Sequence, residues 1–406
     1  APPRPVDWRF VEASLSLLRE RRDCQDFAMQ GLLRFDLAYG ASGLLTEPQK
    51  EAIREALLGA HYWTGQGAPE VRRIWWHSEN HQVLYHTAEY LAGQRYPESL
   101  FTHDGRIGAW HREQAREYLY RWLDWRIRFS FSEWNSAGYY DEDMAALLNL
   151  VEWAADPVLA RQASSVLDLL LLHVAANSWR GITAFSQGRA YEEELLMPDA
   201  TAMATVAQLC WGDGAPPARM SLGALLLCCA ARYDVPAAAM AAGRDTRPVW
   251  INRERHSLNA DDAARYGVRP DRIRDLEFFY GSGQAGHPAV VEAHYAAEGG
   301  RMFQPDEFDD LAFFRACARK GIAAPRHVQP HALAEANLYT CRTPDYVLSC
   351  AQAYRPGVAG CQQFVWCAAV GPRAVVFTTN PAPDDAPPGL PGAWAGNGIL
   401  PLVMQH

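Results

Sequence analysis

Met144-Ala145-Ala146-Leu147-Leu148-Asn149-Leu150-Val151-Glu152-Trp153-Ala154 is followed, after Ala155-Asp156, by Pro157-Val158-Leu159-Ala160 and an apolar-periodic run to Ala176. Apolar residues recur at three- and four-residue spacing in both segments, and Asp-Pro marks the start of the second. Two helices joined by so short a connection fold back antiparallel. The same punctuation extends outward in both directions, with helices expected at 10–21, 48–58, 81–91, 111–127, 200–209 and 216–233. About a dozen such helices stacked as hairpins around one axis make an (α/α) toroid. That is the architecture expected for residues 1–333, with an irregular all-α bundle as the alternative.

Near Ala334 the period changes from 3.6 to 2. Residues 337–341, 346–354, 362–369 and 374–379 alternate as strands, separated by Thr343-Pro344-Asp345, Pro356-Gly357 and Gly371-Pro372 turns. Residues 334–406 are therefore expected to form a small antiparallel β-sandwich domain. It is expected to be incomplete, because the Pro/Gly-rich stretch 380–406 supplies no closing strand.

The chain has 406 residues, enough for two structural units, and a formal net charge of −9 with no basic tract to follow a phosphate backbone. Nucleic acid is not an expected partner. Apolar runs such as 166–172 are too short to span a bilayer, so no membrane partner is expected either. Nine cysteines without CxxC spacing read mainly as buried thiols in a reducing compartment. This favours a cytoplasmic location, with secretion as the alternative if a leader has been removed. Cys341, Cys350, Cys361 and Cys367 in the β region leave one or two bridges open. P-loop, GxSxG and EF-hand patterns are absent, and no cofactor is expected. Composition leaves the oligomeric state open.

Two short segments concentrate the polar and aromatic chemistry. The first is Trp75-Trp76-His77-Ser78-Glu79-Asn80-His81, continued by Tyr85 and His86. Ser78 reads as an N-cap, so Glu79, Asn80 and His81 surround the free N–H groups of a helix start, which attracts an anion and disfavours a charged imidazole. Asn80 is expected to hold a substrate carboxylate, and His81, kept neutral, to act as a base. Trp75, Trp76, Glu79, Tyr85 and His86 are candidate substrate contacts, each of which read alone fits a buried core as well. His77 and His81 share the spacing of an HExxH helix, but the carboxylate falls at the third position, so no metal is assigned.

The second segment is Glu133-Trp134-Asn135-Ser136-Ala137-Gly138-Tyr139-Tyr140-Asp141-Glu142-Asp143. Asp141 reads as the start of a helix, which puts Tyr139 and Tyr140 in the loop before it and makes Glu142 part of a solvated acidic first turn. Glu133, Trp134 and Asn135 are expected to line that loop, with Trp134 stacking on a sugar ring. Further on, Arg189 is a candidate for bidentate carboxylate binding and Tyr191 for a second phenol, although Arg189 is equally suited to hold the acidic run 192–194. Arg253, His256 and Tyr280 are lesser candidates.

Asn80-His81 with downstream tyrosines, in a helical array giving way to β-strands, resembles the toroid-plus-sandwich polysaccharide lyases of the alginate-lyase, chondroitin-lyase and heparinase II/III kinds. Glu79-Asn80-His81 is similar to the Asn-Asn-His motif of one alginate lyase family, with Glu79 in place of the first Asn. Ser78-Glu79-Asn80-His81 and Ser132-Glu133-Trp134-Asn135-Ser136 are also similar to stretches of uncharacterised bacterial proteins. The resemblance implies β-elimination on an anionic, uronate-containing polysaccharide or oligosaccharide. Asn80 and Arg189 would neutralise the carboxylate, His81 or a tyrosine would remove the C5 proton, and Tyr139 or Tyr140 would protonate the leaving oxygen. A glycoside hydrolase using two carboxylates from Glu79, Glu133, Asp141 and Asp143 is the alternative. A glycan-binding protein without turnover is a third.

Overall fold

The computed structural model describes residues 6–63, 74, 76–212, 221–296, 311–322, 333–354 and 362–378. Among these the chain is mainly helical, with fifteen α-helices and one small antiparallel sheet of five strands. Helices α1 (Trp8–Arg19), α2 (Gln25–Tyr39), α3 (Glu47–Gly59), α4 (Glu79–Arg95), α5 (Gly108–Phe129), α6 (Tyr139–Trp153) and α7 (Pro157–Asn177) follow one another along the chain. After the short α8 (Glu192–Leu196) come α9 (Ala202–Cys210), α10 (Leu222–Cys228) and α11 (Ala237–Gly243).

The packing forms two rows. α2, α4, α6 and α10 lie side by side in sequence order, while α5, α7 and α11 form a second row against them. α4 reads poorly as amphipathic because every residue from Glu79 to Gly93 is buried, so it has no solvent face. Its polar side chains must find partners inside, and Gln82 Nε2 donates to the carbonyls of His77 and Glu277, both at 2.8 Å. α7 begins as its sequence dictates. Asp156 accepts from the backbone N–H groups of Val158 and Leu159, and Pro157 occupies the first turn. At 21 residues α7 is also long and apolar enough for a membrane span, contrary to the expectation from shorter runs. Its Leu159, Val166, Leu170 and Val174 face is nonetheless packed in the helical core.

The sheet differs from the expected four-stranded meander in one element. β1 (Trp250–His256) comes from within the helical part of the chain and pairs antiparallel with β2 (Ala336–Arg342). β3 (Val347–Gln352), β4 (Trp366–Gly371) and β5 (Ala374–Phe377) complete the order β1-β2-β3-β4-β5. A division at residue 333 therefore runs through the sheet. The sheet buttresses two loops: Val347, Phe364, Cys367 and Ala369 pack on Trp179, Ile182 and Ala190, while Ala336, Leu338 and Ala351 pack on Trp134. Those are the loops that carry Glu133 and Arg189. Cys341, Cys350 and Cys367 are free thiols, and Cys361 lies outside the described residues.

Candidate functional site

The first turns of α2, α4 and α6 come together: His81 bonds Asp26 and stacks on Phe27, and Phe27, Tyr139 and Glu142 line a cavity of about 230 Å³. Phe27, Tyr139, Glu142, Arg189 and Tyr191 line it. His81 lies behind Phe27, its ring stacked on that side chain at 5.5 Å, and its charge is felt by Glu142.

His81 Nδ1 lies 2.6 Å from Asp26 Oδ2. Burial pushes the imidazole pKa down, but the Asp26 carboxylate outweighs it, and the net direction is up. This corrects the expectation that the helix start keeps His81 depressed: its environment is set by a fully buried aspartate on a neighbouring helix. Burial likewise raises Asp26, with His81 opposing. A histidine whose Nδ1–H is fixed by a carboxylate presents Nε2 as a proton acceptor.

The anion site at the start of α4 is filled from within. Ser78 stands at the cap position without a cap hydrogen bond, and the Glu133 carboxylate takes its place. It accepts from Asn80 N at 3.3 Å and from Asn80 Nδ2 at 3.0 and 2.9 Å, and Arg189 Nη1 also donates to it. Asn80 and Arg189 are thus brought together as expected, but around an internal carboxylate, and Asn80 is fully buried. Arg189 Nη2 donates to Tyr139 Oη at 2.8 Å, Nε donates to Gln362 at 2.8 Å, and the guanidinium lies 3.9 Å over the Tyr139 ring. Tyr139 and Tyr191 hydroxyls are 2.6 Å apart. Burial holds Tyr139 well above the usual phenol range, with Arg189 opposing, so it is a neutral proton donor at physiological pH.

α6 starts at Tyr139, so neither tyrosine lies in a preceding loop, and the two separate by function. Tyr140 is fully buried, its hydroxyl accepts from Asn135 N at 2.8 Å, and it does not reach the cavity. Asp141 does not start its own helix. It accepts from Ser221 Oγ and from the N–H groups of Leu222 and Gly223, fixing the start of α10. Glu142, expected in a solvated turn, lines the cavity, and burial with Asp141 and Asp26 nearby pushes its pKa up to about 8.

The expected aromatic platform belongs to the core. Trp76 and Tyr85 are fully buried with ring centroids 4.3 Å apart, and His86 stacks on Tyr118 at 4.5 Å with Glu277 3.4 Å from Nε2. Trp134 is fully buried and cannot stack on a sugar: a Cβ at Gly188 would sit 2.8 Å from its ring. Glu79 is buried in an ion pair with Arg126 and accepts from Ser132 N at 2.7 Å, which fixes the loop carrying Glu133. Asn135 is buried with a left-handed φ of 48°, a turn position that asparagine tolerates. Trp75 lies outside the described residues. Arg253 is exposed on β1, and Tyr280 is buried against His77 and His294.

Sequence reasoning missed Asp26. The signal was a carboxylate on the same stripe of α2 as Met29, Gln30 and Leu33, where an apolar residue is the norm. Among the described residues two groups have the spacing to hold a cation, His103–Asp104–His111 and His173–Glu254–His256. Each is cross-linked internally, by His111 Nε2 to Asp104 at 3.2 Å and by His173 Nδ1 to Glu254 at 3.0 Å. No family model, curated protein or solved structure matches the chain.

Asp143 supplies a test of the electrostatics. It is fully buried, neither carboxylate oxygen has a hydrogen bond among the described residues, and burial raises it well above the ordinary range. An acid raised on folding stays protonated while the unfolded chain ionises, so its penalty grows as pH rises above about 4. Asp143→Asn should therefore raise the melting temperature at pH 8 relative to wild type and change it little near pH 4. Equal shifts at both pH values would contradict this account.

Proposed function

We propose that the protein is a polysaccharide lyase that cleaves a uronate-containing glycan by β-elimination, without a redox cofactor. The two helical rows are, in this proposal, part of an (α/α) toroid with the cavity at the end where the inner helices begin. The observation that carries it is a neutral, guanidinium-clamped tyrosine lining a cavity, with a carboxylate-held histidine stacked directly behind Phe27 of the cavity wall. His81 Nε2 takes the C5 proton. The C4–O bond breaks as the C4–C5 double bond forms, and Tyr139 passes its phenolic proton to the leaving glycosidic oxygen. Arg189 and the Tyr191 hydroxyl stabilise the phenolate left behind, and solvent returns the proton from His81. Because Asn80 is committed to Glu133, the uronate carboxylate is met by Glu142, which at neutral pH is a carboxylic acid able to donate a hydrogen bond.

Glu142 also supports a second proposal, a glycoside hydrolase in which it is the general acid. That chemistry requires another carboxylate open to the substrate. Asp141 and Glu194 also line the cavity, but Asp141 is engaged by α10 and Glu194 accepts from Tyr191 N at 2.7 Å, while Glu133 is held by Asn80 and Arg189 and Asp26 by His81, which favours elimination. Incubation with uronate polymers should release products carrying the ultraviolet absorbance of an unsaturated uronate. New reducing ends without that absorbance would move the assignment to hydrolysis, and glycan binding without either product would leave a binding protein.

A further inference from the structure

A second cleft, of about 280 Å³, shares no lining residue with the Tyr139–Glu142 cavity. It opens where the turn after α7, the end of α11 and the end of β2 meet, and Arg180, Arg244, Arg247 and Arg342 line it against a single carboxylate, Asp245. Asp245 is already held by Arg247, whose Nε lies 2.8 Å from both carboxylate oxygens. Arg180, Arg244 and Arg342 have no carboxylate partner among the described residues, so the cleft carries an uncompensated positive charge.

Arg342 is the anchor. It occupies an inward position of β2, where alternation calls for an apolar residue, and is only 4% exposed. Its Nη1 donates to the carbonyls of Ala175 and Ser178 and its Nη2 to that of Ala242, tying the negative ends of α7 and α11 to the sheet. Its Nε has no hydrogen bond among the described residues. That nitrogen has no exposed surface and the guanidinium lies 4.5 Å over the Trp250 ring, so Arg342 lends the cleft wall a fixed positive charge. Arg180 is presented on a tight turn, with φ of 52° followed by Gly181 at 76°, closed by the Trp179–Ile182 bridge. Arg244 sits at the C-terminus of α11, where its Nη2 makes one bond, 3.3 Å long, to Cys210 O.

We infer that this cleft binds a tetrahedral oxyanion, a sulfate or phosphate group. A single guanidinium fork satisfies the two oxygens of a carboxylate, whereas three arginines carried on three elements around one cleft suit a group with three or four acceptor oxygens. The anion arrives either free or as an ester on a larger molecule, and the two are separable by experiment. The full-length chain is titrated calorimetrically with inorganic sulfate, inorganic phosphate, phenyl sulfate and phenyl phosphate, at ionic strength held constant with sodium chloride. Saturable binding is expected, tighter for the phenyl esters if the ligand is esterified and tighter for the inorganic anions if it is free. Arg180→Gln and Arg244→Gln should each weaken it roughly tenfold, the loss of one charge-assisted contact. Both side chains are exposed, so the variants are expected to melt with wild type, and Arg342 is left intact. Heats no greater than those of chloride dilution, or unchanged affinity in the double variant, would overturn the inference. The readout is binding, so it stands or falls independently of the lyase proposal.

Discussion

Arg126→Leu is expected to destabilise the fold by about 3–5 kcal/mol, the usual consequence of removing one partner from a buried ion pair. Arg126 is 2% exposed and Glu79 fully buried, so the substitution leaves a carboxylate inside the helical array with no cation to balance it. Glu79 also accepts from the backbone of Ser132 and Glu133, at 2.7 and 3.4 Å, so the loss propagates to the loop that holds Asn80 and Arg189 in place. Glu79→Gln in the same chain should recover part of the loss, because a neutral amide still accepts from Ser132 N without a buried charge. Urea unfolding of the two single variants and the double variant measures this directly. An Arg126→Leu midpoint implying less than about 1 kcal/mol would mean that solvent reaches Glu79, since exposed pairs are worth that little.

The helices that the sequence shows best are those with one wet face. α1 and α3 alternate apolar and charged residues and lie within a few residues of expectation. α2 escaped notice because Asp26, Gln30 and Asp36 interrupt its apolar stripe, and the first of these proves to orient His81. The same logic explains the fate of the aromatic cluster. Trp76, Tyr85 and Trp134 read as sugar platforms because polar residues surround them in sequence, yet α4, buried from Glu79 to Gly93, and the buried stretch Ser132 to Ser136 put those polar residues inside as well. The resemblance gave Asn80 and Arg189 a shared role on a carboxylate but had no means of supplying Glu133 as their common partner. That pairing depends on the α5–α6 loop crossing over the start of α4. β1 was hidden for a related reason. Its Trp250 to His256 stretch is half exposed and carries Arg253, Glu254 and Arg255, so only its pairing with β2 marks it as a strand.

His81→Ala and Tyr139→Phe are each expected to lower kcat by about 10²- to 10⁴-fold, the range for loss of a general acid or base. The more discriminating variant is Glu142→Gln. With Glu142 protonated up to about pH 8, kcat/KM of the wild type should fall as pH rises through that value, because the ionised carboxylate no longer donates to the uronate and repels it. On the acid side the rate should fall as His81 gains its proton, at a pH above the ordinary imidazole value because Asp26 stabilises the charged ring. Glutamine keeps an N–H donor at the same position and cannot ionise. In a lyase, Glu142→Gln should therefore retain most of the activity and lose the alkaline limb. In a hydrolase the same change removes the proton that the leaving group needs, and kcat should drop with no pH restoring it. Asp26→Asn supplies the companion measurement: the acid limb should move to lower pH as the histidine loses its carboxylate. An acid limb unmoved in that variant would show that His81 is not the group whose titration limits the rate.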